Sequence, residues 1–204
     1  MSVLTPQGFQ AESRVSRETL DRLTTYAELL TAWNQRINLV GPNTIADLWR
    51  RHLLDSAQLL PLLPPETKTL VDLGSGAGLP GLILAILGVP EVHLVESDIR
   101  KCAFLREAAR VTGTAITIHA QRIDKVPAVA ADVITARALA PLPQLLAHGI
   151  RFAREGTVWL LLKGKNAAAE LTGAQEEWFM EATSGPSRTD PGASILRLEK
   201  VRIV

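Results

Sequence analysis

The chain is poor in cysteine, and that scarcity excludes much. A single Cys102 rules out an internal disulfide and any multi-cysteine metal centre, and its setting Arg-Lys-Cys-Ala-Phe-Leu reads as a helix face that packs in the core. Only four histidines occur, dispersed as His52, His93, His119 and His148, so no metal site is expected, and His93, inside a strand pattern, is expected to be packed or at the surface. Apolar runs never reach the roughly 18 residues of a membrane span. The start Met-Ser-Val-Leu-Thr-Pro-Gln-Gly lacks the charged-then-apolar order of a signal peptide, so a soluble cytoplasmic protein is expected. Repeats, linkers and low-complexity tracts are missing too. Nor is there a charge excess: the net +1 gives no global argument for a nucleic-acid partner.

The distribution of charge says more than its sum. From Arg100 to Arg137 seven Lys or Arg face Glu107, Asp124 and Asp132, and from Arg151 to Lys165 four face Glu155. A locally positive surface there would suit a phosphate-rich substrate. With 204 residues, 47% of them hydrophobic, the chain has ample material for one core.

Periodicity divides that material in two. Ser16 can cap a helix running to about Arg36 on Leu20, Leu23, Tyr26, Ala27, Leu30 and Trp33, and Thr44 opens a second that Pro61 and Pro64-Pro65 stop. Residues 1–65 are thus predicted as a helical cap, and 66–204 as a sheet-based core forming one globular unit with it. Strands are predicted at 69–73, 91–96, 115–119, 132–136 and 157–162, with helices near 79–87, 98–111, 141–152 and 165–177. Alternation of this kind gives a mostly parallel sheet with helices on both faces. Residues 178–184 and 194–204, around Gly185-Pro-Ser-Arg-Thr-Asp-Pro-Gly192, predict a closing antiparallel pair and seven strands in all.

The rest is organised around Thr69-Leu-Val-Asp-Leu-Gly-Ser-Gly-Ala-Gly-Leu-Pro-Gly81. A buried strand, a glycine turn that lets backbone approach a ligand, and Pro80 in a helix's first turn make a nucleotide crevice. Gly76-Ala-Gly78-Leu-Pro-Gly81 alone also satisfies the G-x-G-x-x-G of dinucleotide enzymes. The earlier register, Asp72-Leu-Gly74-Ser75-Gly76-Ala-Gly78, has the D-x-G-x-G-x-G form that resembles the first motif of class I S-adenosylmethionine methyltransferases. Glu96 ends the second strand, placed to accept from a ribose diol. One glycine turn and one sheet leave no second half-fold of the kind a nicotinamide enzyme usually needs.

Further motifs narrow the resemblance. Trp33-Asn34, Asn38-Leu39, Arg51-His52-Leu53-Leu54-Asp55-Ser56, the glycine stretch to Gly81, Arg100-Lys101 with Phe104-Leu105, Ala136-Arg137-Ala138 and Leu162-Lys163-Gly164 stand in the order of one family. Over about residues 20 to 200 the chain resembles the small-subunit (16S) ribosomal RNA guanine-N7 methyltransferases, the glucose-inhibited division protein B family. The resemblance implies a class I methyltransferase (Rossmann-like) α/β fold, S-adenosylmethionine as cofactor with S-adenosylhomocysteine as product, and 16S rRNA in the small subunit or an assembly intermediate as partner. No membrane or metal partner is implied, and a monomer is expected. Cofactor contacts are expected at Asp72, Gly74, Ser75, Gly76, Gly78, Leu79, Glu96, Ile123, Asp124 and Arg137, and RNA contacts at Asn38, Arg51, His52, Asp55, Arg100, Lys101, Arg137 and Lys163. Arg137 and Lys163, which end apolar strands at the ligand-binding rim, are the candidates for a catalytic role.

Guanine N7 carries an in-plane lone pair and no proton, so its methylation needs alignment rather than a general base. Ala136-Arg137-Ala138-Leu139 stands where exocyclic-amine methylators carry an Asn-Pro-Pro-Tyr-like tetrapeptide, and the lone helical cysteine argues against cytosine C5 methylation through a thiolate. The alternatives are a methyltransferase of a small molecule or protein, a nicotinamide-dependent oxidoreductase, and a non-catalytic ribosome-binding module.

Overall fold

The computed structural model describes residues 3–204. Seven strands form one sheet in the order β3-β2-β1-β4-β5-β7-β6. They are β1 (Thr69–Leu73), β2 (Glu91–Glu96), β3 (Thr117–Ala120), β4 (Ala131–Arg137), β5 (Ala153–Lys163), β6 (Trp178–Pro186) and β7 (Ser194–Ile203). The first five are parallel, and β7 inserts antiparallel between β5 and β6. The expected seven strands and closing antiparallel pair are therefore present. Strand order reverses between β1 and β4, so the carboxyl ends at Leu73, Glu96, Arg137 and Lys163 surround the crevice where such sheets bind ligands.

Alternation along the strands feeds two cores. Leu70, Leu94, Val133, Leu160 and Leu162 enter one cluster, while Val71, Leu73, Val95, Ile134, Trp159 and Leu161 enter the other. The second is covered by α6 (Leu142–Gly149) and α7 (Ala167–Ala174). The first is covered by α4 (Gly81–Ile86) and α5 (Ile99–Thr112), and also by α2 (Arg17–Asn34), whose Leu23, Tyr26 and Leu30 are fully buried beside Phe104 and Leu105. The N-terminal helices thus share the core of the sheet. Cys102 is buried, its Sγ 3.3 Å from the Glu96 carbonyl. His93 stacks on His119 with ring centroids 5.3 Å apart.

Several boundaries differ from the expected ones. A helix α1 (Pro6–Ser13) precedes Ser16; Thr5 caps it by accepting from Gly8 N at 3.0 Å, and Pro6 occupies its first turn. The helix expected from Thr44 is instead a 3-10 turn (Pro42–Asp47), a π-helical turn (Trp49–Leu54), one α turn α3 (Asp55–Ala57) and a 3-10 turn (Leu60–Leu62). His52, Leu53 and Leu54 are all buried within the π-helical turn. Helix α4 begins at Gly81 rather than residue 79, with Pro80 as its N-terminal flanking residue. Strand β5 starts four residues earlier than expected, β3 two later, and α6 and α7 are shorter.

Candidate active site

The glycine turn is shaped by backbone and supported from below. Gly74 and Gly76 have φ of +66° and +56°, a region that side chains disfavour, and a Cβ on Gly76 would meet only the Gly74 carbonyl, 3.9 Å away. That open space is the room a ligand needs. Beneath it Asp72 is fully buried: Oδ1 accepts from Thr135, its register neighbour on β4, at 2.7 Å, and Oδ2 has no hydrogen bond of normal geometry. Burial pushes its carboxyl up to about 6, against the hydroxyls of Thr135 and Ser75 and the Gly81 backbone, which hold it down. Gly81 itself has no room for a side chain, since a Cβ would lie 2.7 Å from Asp72 Cβ. From the cap, the Tyr26 hydroxyl donates to the Ala77 carbonyl at 2.7 Å, fixing the turn from the other side.

At the end of β2, Glu96 accepts from Gly76 N at 2.9 Å through Oε2 and from Asp98 N at 2.8 Å through Oε1. Each oxygen keeps a lone pair for a further donor. Glu96 lines a cavity of about 220 Å³ with Gly74, Ile123, Lys101 and Leu139. Ala138 and Leu139 also line a larger cavity of about 730 Å³, bounded by the cap, the ends of β4 and β5 and the β6–β7 turn.

The larger cavity is built around Arg137. Its Nη1 lies 3.0 Å from His52 Nδ1, 3.4 Å from the Arg51 carbonyl and 3.5 Å from Asp55 Oδ2. A guanidinium only donates, so His52 Nδ1 is the acceptor and the proton of the neutral ring sits on Nε2, 2.7 Å from Thr44 Oγ1. The Thr44 hydroxyl in turn donates to the Gly41 carbonyl at 2.6 Å. Burial first, then Arg137 and Arg51, push the imidazole down to about 3. His52 is therefore a fixed neutral acceptor for Arg137, whose Nη2 and Nε take no partner among the described residues.

The cavity's carboxylates are all held. Asp55 Oδ1 accepts from Thr189 at 2.6 Å and Gln58 at 2.9 Å, Asp190 pairs with Arg51 at 2.8 Å, and Glu170 accepts from Lys163 at 2.8 Å and from Leu142 N. Lys163, only 8% exposed, also donates to the Ala140 carbonyl, so its ammonium braces the segment after β4 while bordering the cavity.

Of the residues expected from sequence, Arg51, His52, Asp55, Arg137 and Lys163 converge on the larger cavity, and Gly74, Glu96, Ile123 and Lys101 on the smaller. Asn38, Arg100 and Lys101 line a third cavity beside them. Gly76 gives its N–H to Glu96. Asp72, Ser75, Gly78 and Leu79 line none of these three cavities; Asp72, Ser75 and Leu79 are buried under the turn, and Ser75 donates to the Asp72 carbonyl. Asp124 lies outside the smaller cavity, half-exposed and paired with Arg122 at 3.1 Å. Gln58, Ser187, Thr189 and Asp190 were not legible as site residues, because their partners lie up to 139 residues away; Thr44 and Glu170 bond the nearby His52 and Lys163 but stand in no motif. The one signal, the turn-rich stretch before Gly192, indicated a turn and not what it touches.

A family model described as rRNA small subunit methyltransferase G matches residues 19–189. The chain belongs to that family. Curated relatives named "Ribosomal RNA small subunit methyltransferase G" include one from Paramagnetospirillum magneticum, 56% identical over 196 residues (96% of each chain), and one from Rhodospirillum centenum, 58% identical over 193 residues (95% of this chain, 89% of the relative). Among solved structures, a ribosomal protein L11 methylase from Lactobacillus delbrueckii subsp. bulgaricus superimposes with a TM-score of 0.60 at 15% identity (71% of this chain, 76% of that one). The N-methyltransferase NodS from Bradyrhizobium japonicum, in complex with S-adenosyl-L-homocysteine, does so at 0.52 and 14% identity (70% and 84%). The fold is thus the Rossmann-like methyltransferase fold, and membership of the rRNA small subunit methyltransferase G family removes the oxidoreductase alternative.

Proposed function

We propose that the protein transfers the methyl group of S-adenosylmethionine to N7 of a guanine in 16S rRNA of the small ribosomal subunit. One observation carries this beyond the family description: the cavity sets Arg51, Arg137 and Lys163 against Asp190, Asp55 and Glu170, each cation paired with a carboxylate, and joins the glycine cradle through Ala138 and Leu139. Such a site is suited to a lone pair that needs positioning and no proton transfer. The NodS complex and the family description support the choice of cofactor.

The residues present fit that cofactor. The open face of Gly76 leaves room for it, the spare lone pairs of Glu96 would take the ribose hydroxyls, and Ile123 would pack the adenine ring. When bound, it would supply an electrophilic methyl carbon on a sulfonium, with a neutral thioether as the leaving group. Arg137, anchored through Nη1, would direct Nη2 and Nε at the cofactor carboxylate or at an RNA phosphate. His52 keeps that guanidinium aimed, and Lys163 holds Ala140 so that Ala138 and Leu139 stay between the two cavities. The N-terminal segment would act as the cap of the reaction cavity, which it walls through Leu39, Val40, Gly41, Arg51, His52 and Asp55.

The test is methyl transfer from radiolabelled S-adenosylmethionine to small subunits from cells lacking the protein, with the modified base mapped by mass. Product at guanine N7 is expected; methylation of another atom, or none, would overturn the reading. Calorimetry should show S-adenosylhomocysteine binding and no comparable binding of NAD. Arg137→Ala should lower kcat/KM by about 100-fold, roughly 2.7 kcal/mol, while the protein stays folded by circular dichroism.

A further inference from the structure

The turn after α2 separates two cavities. Leu39, Val40 and Gly41 line the reaction cavity, whereas Ile37 and Asn38, immediately before them, line a groove of about 330 Å³ completed by Arg36 and, from the start of α5, Asp98, Arg100 and Lys101. Three cations therefore face one carboxylate in that groove. Asp98 is already committed, accepting from Arg100 N at 2.8 Å and Lys101 N at 3.3 Å as the cap of α5 and pairing with the Arg100 side chain. Arg36 and Lys101 have no carboxylate partner among the described residues. Uncompensated charge from two elements around one groove is what a phosphate neutralises.

The turn that forms the shared wall is fixed. Asn34 Oδ1 accepts from both Leu39 N and Val40 N at 2.9 Å, and Trp33 packs edge-on against Phe104 of α5 at 5.7 Å, so the two sides of the groove are held in register. From Asn38 to Gly41 the chain spans at most about 14 Å even if extended. A nucleotide whose base enters the reaction cavity therefore has its neighbouring backbone within reach of the groove.

We propose that the Arg36–Lys101 groove is a phosphodiester subsite, which holds the substrate RNA backbone next to the guanosine being methylated. The subsite rests on the reaction proposed above and adds to it a grip on the strand that carries no base information. Lys101 also borders the smaller cavity, so the grip adjoins the cofactor cradle.

The test compares Arg36→Ala and Arg36→Glu with Arg110→Ala, which removes an exposed cation at the far end of α5. With small subunits at about 0.15 M salt, Arg36→Ala should raise KM roughly ten-fold and lower the salt dependence of binding by about one, with Arg36→Glu worse, while affinity for S-adenosylhomocysteine stays put. Unchanged KM and salt slope in both Arg36 variants, alongside an active parent protein, would overturn the subsite alone. Equal losses in the Arg110 variant would also overturn it, reducing the effect to net charge. An inactive parent protein would overturn the reaction and the subsite together.

Discussion

At the scale of single residues, the ionisable groups at the heart of the molecule oppose each other. Asp72 is protonated in the folded protein up to about pH 6 but only to about 3.8 once unfolded, so between those values its contribution to stability falls as pH rises. His52 does the reverse: it stays neutral when folded down to about pH 3 while the unfolded ring protonates below about 6.5, so stability falls as pH falls. From about pH 4 to 6 the two slopes cancel. Asp72→Asn preserves an acceptor for Thr135 and removes one of them. Relative to the parent, it should gain about 2–3 kcal/mol on going from pH 4 to pH 6.5, read as urea unfolding midpoints at the two values. A pH-independent difference would mean that Asp72 is ionised throughout.

At the scale of elements, the post-α2 turn depends on one carboxamide. Asn34→Ala leaves the buried Leu39 and Val40 N–H groups without their acceptor, which should cost about 2 kcal/mol and lower the melting temperature by roughly 4–8 °C in calorimetry. Methyl transfer should fall too, because the turn walls both cavities. The Asn34 and Asn38-Leu39 motifs could be read in the sequence, but not what they hold. The order of strands and helices was legible because buried parallel strands and amphipathic helices write their periods into the chain. The cap's second segment was not, since a π turn carries no sequence period distinct from a helix. Glu96 and Arg137 were legible as strand ends beside a glycine turn; Gln58, Thr189 and Asp190 were not, because their roles arise from contacts made across the whole chain.

At the scale of the whole molecule, the insertion of β7 between β5 and β6 bears on the order in which the chain is made. Until Ser194–Ile203 has been synthesised, β5 offers Trp159, Leu160, Leu161 and Leu162 along an unpaired edge, a template for pairing with other chains. A protein ending at residue 193 should therefore partition into the insoluble fraction on expression, and recover solubility when the missing strand is supplied as a peptide. Persistent solubility without β7 would show that the parallel half of the sheet is self-sufficient. The same insertion seats Thr189, Asp190 and Ser194 in the reaction cavity. A member of an rRNA methyltransferase family therefore has no complete site while its own cavity-lining hairpin is still inside the ribosome that makes it.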